Sequence, residues 1–182
     1  MSLNKFAFQL VIIAEDENLV DVAQGFHEGM EGDRRIHVEP VEGKRRSHHG
    51  WQGAVNSLVN YNLPVRTLRH VLLFIDFDKD SALRISGVWK KISDMGLESC
   101  KSRIHIIGVT SQSEDIDRRG VSFREFGCRI ADVCLGRCQD EVWSQPAFKD
   151  NGSELCRLRE TVCCKLSSGS QTHTSTSLMK PL

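Results

Sequence analysis

The stretch that decides the fold is HVLLFIDFDKD, residues 70–80. Val71 to Ile75 form an unbroken apolar run. It leads into Asp76, Asp78 and Asp80, carboxylates at every second position. A continuously apolar run predicts a strand covered on both faces of its sheet. Carboxylates crowded at its end repel one another and raise each other's pKa. They therefore need a reason: a metal ion, a phospho-acceptor, or a solvated rim.

Working outward, AFQLVIIA, residues 7–14, reads as another buried strand. Leu19, Val20, Ala23, Phe26 and Met30 then recur at helical spacing. IHVEPV, residues 36–41, reads as a shorter strand, with Pro40 favouring an edge or a strand end. EGKRRSHHG reads as a loop. Trp51, Ala54, Val55, Leu58 and Val59 form the stripe of the next helix, with Pro64 beyond its end. After residues 70–76, a helix is expected over 83–95 through Ile85, Val88, Trp89, Ile92 and Met95, with Gly96 as its stop. RIHIIGVT, residues 103–110, is the fourth strand, and the acidic turn SQSED follows.

Strands and helices alternate, so the expected fold is α/β: an open, mainly parallel four-stranded sheet with helices on both faces. Past residue 120 the pattern is helical only. Phe123, Phe126, Ile130 and Val133 fit one face; Leu155, Leu158, Val162 and Leu166 fit another, with Ser153 as its cap. A single domain is expected over residues 1–166. The Ser/Thr-rich segment 167–182 has little to bury and is expected to be a disordered tail.

The bulk numbers suit a globular chain. It has 182 residues, 40% hydrophobic and 26% charged. Lys+Arg and Asp+Glu balance at 24 each, which provides no global field for a polyanion. No apolar run approaches the roughly 18–20 residues of a membrane span. MSLNKFAFQ lacks the apolar core of a signal peptide, so a cytoplasmic location is expected. The seven cysteines are then reduced thiols. Cys134 and Cys138 would share a helix face, but without a second well-spaced pair they read as packed thiols rather than zinc ligands.

In an open α/β sheet, ligands bind beyond the carboxyl ends of the strands. Three such ends carry acids: Glu15, Asp16 and Glu17; Asp76 and Asp78; Glu114 and Asp115. Asp76 and Asp78, two apart on an extended segment, point the same way. With Glu15 they make a candidate site for Mg²⁺ or Mn²⁺, both suited to oxygen ligands. Glu17, Asp80 and Glu114 are additional candidates. Taken singly, any of these acids reads as a helix cap or a solvated rim.

Two familiar loops fail here. An EF-hand needs glycine where Ser81 stands and glutamate where Gly87 stands. DFDKD resembles the D-x-D of haloacid-dehalogenase-type phosphatases but carries Asp80 where Thr or Val is usual. A response-regulator receiver is the competitor. LVIIAEDENLV resembles its acidic opening, with Asp76 as phospho-acceptor and Thr110 as switch residue. No fifth strand ending in Lys-Pro follows Thr110, however; the Lys180-Pro181 pair lies in the tail.

Glu15 after the first strand and Asp76/Asp78 after the third resemble TOPRIM domains, the catalytic core of topoisomerases, primases and OLD-type nucleases. The resemblance covers about residues 7–118. It departs from the common E-G form, since Asp16 follows Glu15. The whole chain is also similar to small bacterial TOPRIM-like proteins through IIAEDE, HVLLFIDFD, RIHIIGVTSQSEDIDR and VW…AFKDNGSELCRLRETV. The resemblance implies that Asp76 and Asp78 hold Mg²⁺, that Glu15 is a general acid/base or further ligand, and that the substrate is a nucleic-acid phosphodiester. In EGKRRSHHGW, Lys44, Arg45 and Arg46 are the candidate phosphate contacts, assisted by His48 or His49. Trp51 reads as helix core first and as a base-stacking residue second. Tyr61, the single tyrosine, lies in a helical pattern away from the acids. The expected activity is therefore that of a nuclease rather than strand passage. The alternative is a non-catalytic binding module or receiver-like signalling domain.

Overall fold

The computed structural model describes residues 7–39, 50–78, 80–109, 121–137 and 149–168. Its strands are β1 (Gln9–Ala14), β2 (Ile36–Val38), β3 (Arg69–Asp76) and β4 (Ile104–Val109). They form one parallel sheet in the order β2-β1-β3-β4. The helices are α1 (Glu17–Gly29), α2 (Trp51–Asn56), α3 (Ser81–Asp94), α4 (Phe123–Cys134), α5 (Gly152–Leu158) and α6 (Cys164–Ser168).

Both sheet faces are covered, as the apolar runs require. Leu10, Ile12, Leu72, Phe74 and Ile107 pack with α1, α4 and α5. Val11, Ile13, Val71, Leu73, Ile75 and Ile106 pack with α2 and α3. Alternate residues of one strand thus feed opposite cores. The helix starts are set by side chains: Asp16, Asp80 and Ser122 accept backbone N–H bonds from Leu19, Leu83 and Glu125.

Helices α1 and α4 meet backbone to backbone. A Cβ on Gly127 would lie 2.0 Å from the Val22 carbonyl oxygen, and one on Gly25 would lie 1.9 Å from that of Arg124. Only a residue without a side chain permits this approach.

Among the described residues, the edge of β4 is covered by side chains rather than by a fifth strand. The Asn151 amide accepts from Gly108 N–H at 2.9 Å and donates to Gly108 C=O at 2.6 Å. Glu154 accepts from Ile106 N–H at 3.3 Å, and Arg157 donates to the Ile104 carbonyl at 2.5 Å. Four of the ladder groups of this edge strand are thereby satisfied.

Some local expectations change. α2 tightens at Ser57–Tyr61 into a 3₁₀ turn, and Val59 turns outward at 63% exposure. Asn151, not Ser153, stands at the N-terminal boundary of α5. β2 ends at Val38, and α6 runs to Ser168, two residues into the expected tail. Residues 169–182 lie outside the described residues. Among the described residues, no helix is long and apolar enough to cross a membrane. Cys100, Cys128, Cys134, Cys156, Cys163 and Cys164 are free thiols, and Cys138 lies outside the described residues.

Candidate functional site

The strand order sets the place of the site. After β1 the chain moves outward to β2, and after β3 it moves the other way to β4. α1 packs on one face and α3 on the other. The crevice between the carboxyl ends of β1 and β3 is therefore the topological switch point, where open α/β sheets take their ligands.

Glu15 follows β1 directly and Asp76 ends β3. The Asp76 N–H donates to Glu15 Oε2 at 2.8 Å, while the Glu15 N–H continues the ladder to the Phe74 carbonyl at 3.0 Å. Two of the sequence-selected acids are thus brought together at the switch point. Burial pushes the Glu15 carboxyl above its ordinary pKa, and the nearby Asp76 and Asp16 charges add to this. The Asp76 N–H and the Arg84 charge pull in the other direction without cancelling it.

Asp78 lies past the strand end. Its φ of 51° is left-handed, its N–H donates to Asp76 Oδ1 at 3.1 Å, and its carboxylate is paired with the Arg84 guanidinium. Arg84 projects from the fourth residue of α3 and lies over the Trp51 ring, 5.4 Å from its centroid. Trp51 also packs along α3, where a Cβ on Gly87 would stand 3.5 Å from its ring. It is a half-buried core residue that also presents its face to a cation. Gly50, at φ 80°, lies beside Glu15; a Cβ there would be 3.9 Å from Oε1.

The remaining candidates are dispersed. Asp80 caps α3, and Glu17 is exposed in the first turn of α1, where a negative charge favours the helix. Glu114, Thr110, Lys44, Arg45, Arg46, His48 and His49 lie outside the described residues. The sequence reading missed two residues here. Arg84 carried a signal: a cation near a helix N-terminus is unfavourable without a partner. Asp150 accepts from Ser81 Oγ at 2.6 Å, which brings another carboxylate to the start of α3; nothing local in AFKDNGSE announces that contact.

The donor chemistry of Glu15, Asp76 and Asp78 is all carboxylate oxygen, the kind a hard divalent cation takes. Glu15 and Asp76 suit such an ion in kind, and the Asp76 backbone lies against the Glu15 carboxylate. Asp78 is engaged by Arg84, and among the described residues no three His, Cys, Asp or Glu side chains are gathered as a metal-binding group. No protein-family model, curated protein or solved structure matches the chain; what stands is an α/β fold with a four-stranded parallel sheet and the Glu15 carboxylate bonded to the Asp76 backbone at its switch point.

Proposed function

We propose that the protein is a divalent-cation-dependent phosphoryl-transfer enzyme of TOPRIM type, acting as a nuclease on nucleic-acid phosphodiesters. The observation that carries this reading is the contact of Glu15 with Asp76 at the switch point of the sheet. Asp76, Asp78 and Glu15 would hold Mg²⁺ or Mn²⁺. Such an ion, when bound, polarises a phosphoryl oxygen and offsets the charge that develops as the P–O bond breaks. Glu15 also serves as general acid/base, since a carboxyl raised by burial exchanges protons closer to neutral pH. Lys44, Arg45, Arg46 and His48 contact the phosphates. Gly50 and Trp51, which follow that basic segment in the sequence, lie against Glu15 and Arg84. Tyr61 belongs elsewhere: its carbonyl accepts from Arg69, at the opposite end of β3 from the acids. Strand passage is therefore not part of the proposal.

A second reading is favoured by the Arg84–Asp78 pair, which already neutralises one of the acids. In it the domain is a non-catalytic module that binds nucleic acid. The receiver-like form, with Asp76 phosphorylated, has less support because the side chains of Asn151 and Glu154 occupy the β4 edge.

The test is cleavage of end-labelled single- and double-stranded DNA and RNA with Mg²⁺, Mn²⁺ or EDTA, using wild type and Asp76→Asn. Cleavage that requires the metal and is lost in the variant is the expected result. Strand binding without cleavage under every condition would instead establish the binding module. Labelling of Asp76 by acetyl phosphate would establish the receiver.

A further inference from the structure

We propose that Arg84 is a substrate-responsive gate: it holds Asp78 out of the acid site until a phosphate of a nucleic-acid strand takes over its guanidinium. This rests on the metal-dependent reading above and adds to it the regulation of the same site.

The pair is asymmetric. The Arg84 side chain is 17% exposed and that of Asp78 is 59% exposed. Arg84 is anchored in α3 with its guanidinium over the Trp51 ring, a contact that orients a planar cation. Asp78 sits on a left-handed bend past the end of β3. Arg84 is therefore the fixed partner and Asp78 the movable one. The Asp78 N–H bond to Asp76 Oδ1 keeps that bend beside the acid site, so a swing of the carboxylate suffices to change its partner.

The electrostatics point the same way. Arg84 acts on Glu15 as well as on Asp78 and so serves as the resident counter-charge of the acids. A divalent cation and a guanidinium compete for the same Asp78 oxygens. The cation therefore completes its ligand set only after the Asp78 carboxylate has left Arg84. A phosphodiester is suited to that exchange, because its oxygens match the planar fork of a guanidinium. Arg84 gains a phosphate, Asp78 is released to the cation, and metal binding becomes coupled to substrate. Arg84 is here a positioning residue.

The test uses opposite movements of two affinities. Mn²⁺ is titrated into wild type and Arg84→Gln, with the free ion followed by its spin-resonance signal. A fluorescent oligothymidylate is titrated in EDTA and followed by anisotropy. Arg84→Gln is expected to bind Mn²⁺ about tenfold more tightly than wild type, within the usual range of coupling between sites. It is expected to bind the strand about threefold or more weakly. Arg84→Lys, which keeps the charge without the fork, should leave Mn²⁺ affinity near wild type yet still weaken the strand. If wild type binds Mn²⁺ and Arg84→Gln binds it no better, the gate is overturned and the metal site stands. If neither protein binds Mn²⁺, with or without the strand, the metal reading itself fails and the gate with it.

Discussion

The Glu15 carboxylate accepts the backbone N–H of Asp76 at 2.8 Å, which ties the end of β1 to the end of β3 across the sheet. Burial dominates its ionisation and holds its pKa above the ordinary 4.5. A raised carboxyl contributes stability that is complete below the unfolded value and is lost as pH rises through the folded value. Glu15→Gln keeps an oxygen for the Asp76 N–H and removes the charge. In EDTA at pH 8 it should melt about 1–3 °C higher than wild type, a modest gain for a partly solvated group in a chain of this size. At pH 4 the two proteins should melt together. A variant that melts lower at pH 8 would contradict the assigned burial.

The covered edge of β4 provides a second check. Asn151 is 1% exposed and satisfies both the N–H and the C=O of Gly108. Asn151→Ala leaves both groups without that partner. Each buried group stripped of its bond costs about 1–3 kcal/mol, so urea unfolding should show a loss of about 2–4 kcal/mol. A loss under about 0.5 kcal/mol, within the range of an ordinary surface change, would mean that Asn151 does not hold the edge.

The α1–α4 contact depends on Gly127. Gly127→Ala drives a Cβ into the Val22 carbonyl and should cost about 3 kcal/mol or more in thermal or urea unfolding, as overpacking against rigid backbone does. Gly152→Ala is the control, since no atom lies within 4 Å of its Cβ position. It should change stability by less than about 0.5 kcal/mol. Equal effects in the two variants would contradict the close helix contact.

A buried histidine pair makes stability depend on pH. His70 Nδ1 lies 3.4 Å from His105 Nε2, and His105 Nδ1 lies 3.0 Å from Glu154 Oε1. Thr161 Oγ1 reaches His105 Nε2 at 3.2 Å, and Arg103, Arg157 and Lys165 add positive charge around His70. Burial, then the His105 charge, pushes His70 down to about 3. Burial also lowers His105, against the opposing bond to Glu154. Depressed histidines contribute stability that is present above 6.5 and is lost as pH falls. Glu154, held below its ordinary value by His105 and Arg157 despite its burial, retains its contribution down to about pH 4.5. Glu15 works in the opposite sense. Between pH 7 and pH 5, wild type should lose stability. His70→Phe, which keeps an aromatic ring against Phe8, should reduce that slope by up to about 1.4 kcal/mol per pH unit. Parallel pH profiles for the two proteins would show that His70 titrates normally.

Much of the fold was legible because its strands are continuously apolar and end in polar clusters. β1, β3 and β4 fall where AFQLVIIA, HVLLFID and RIHIIGVT placed them. Glu15 and Asp76 were legible as partners because adjacent parallel strands bring their carboxyl ends together. Asp78 was read as a third member of that group from the two-residue repeat of a strand. The strand stops at Asp76, and the left-handed bend sends Asp78 to Arg84 instead. A turn of that kind on a non-glycine residue leaves no periodic trace. Val59 was read as core because 3.6 residues per turn place it beside Val55; the 3₁₀ turn breaks that spacing. The roles of Asn151 and Glu154 depend on pairings more than forty residues apart, which no local pattern encodes.

The most direct test of the central claim is a calorimetric titration of Mn²⁺ into wild type and Asp76→Asn/Asp78→Asn, with and without a short DNA strand that carries non-hydrolysable phosphorothioate linkages. Wild type is expected to bind one ion, more tightly with the strand than without it, and the double variant to lose that binding in both cases. Equal binding by the two proteins, or no binding by wild type even with the strand present, would contradict it.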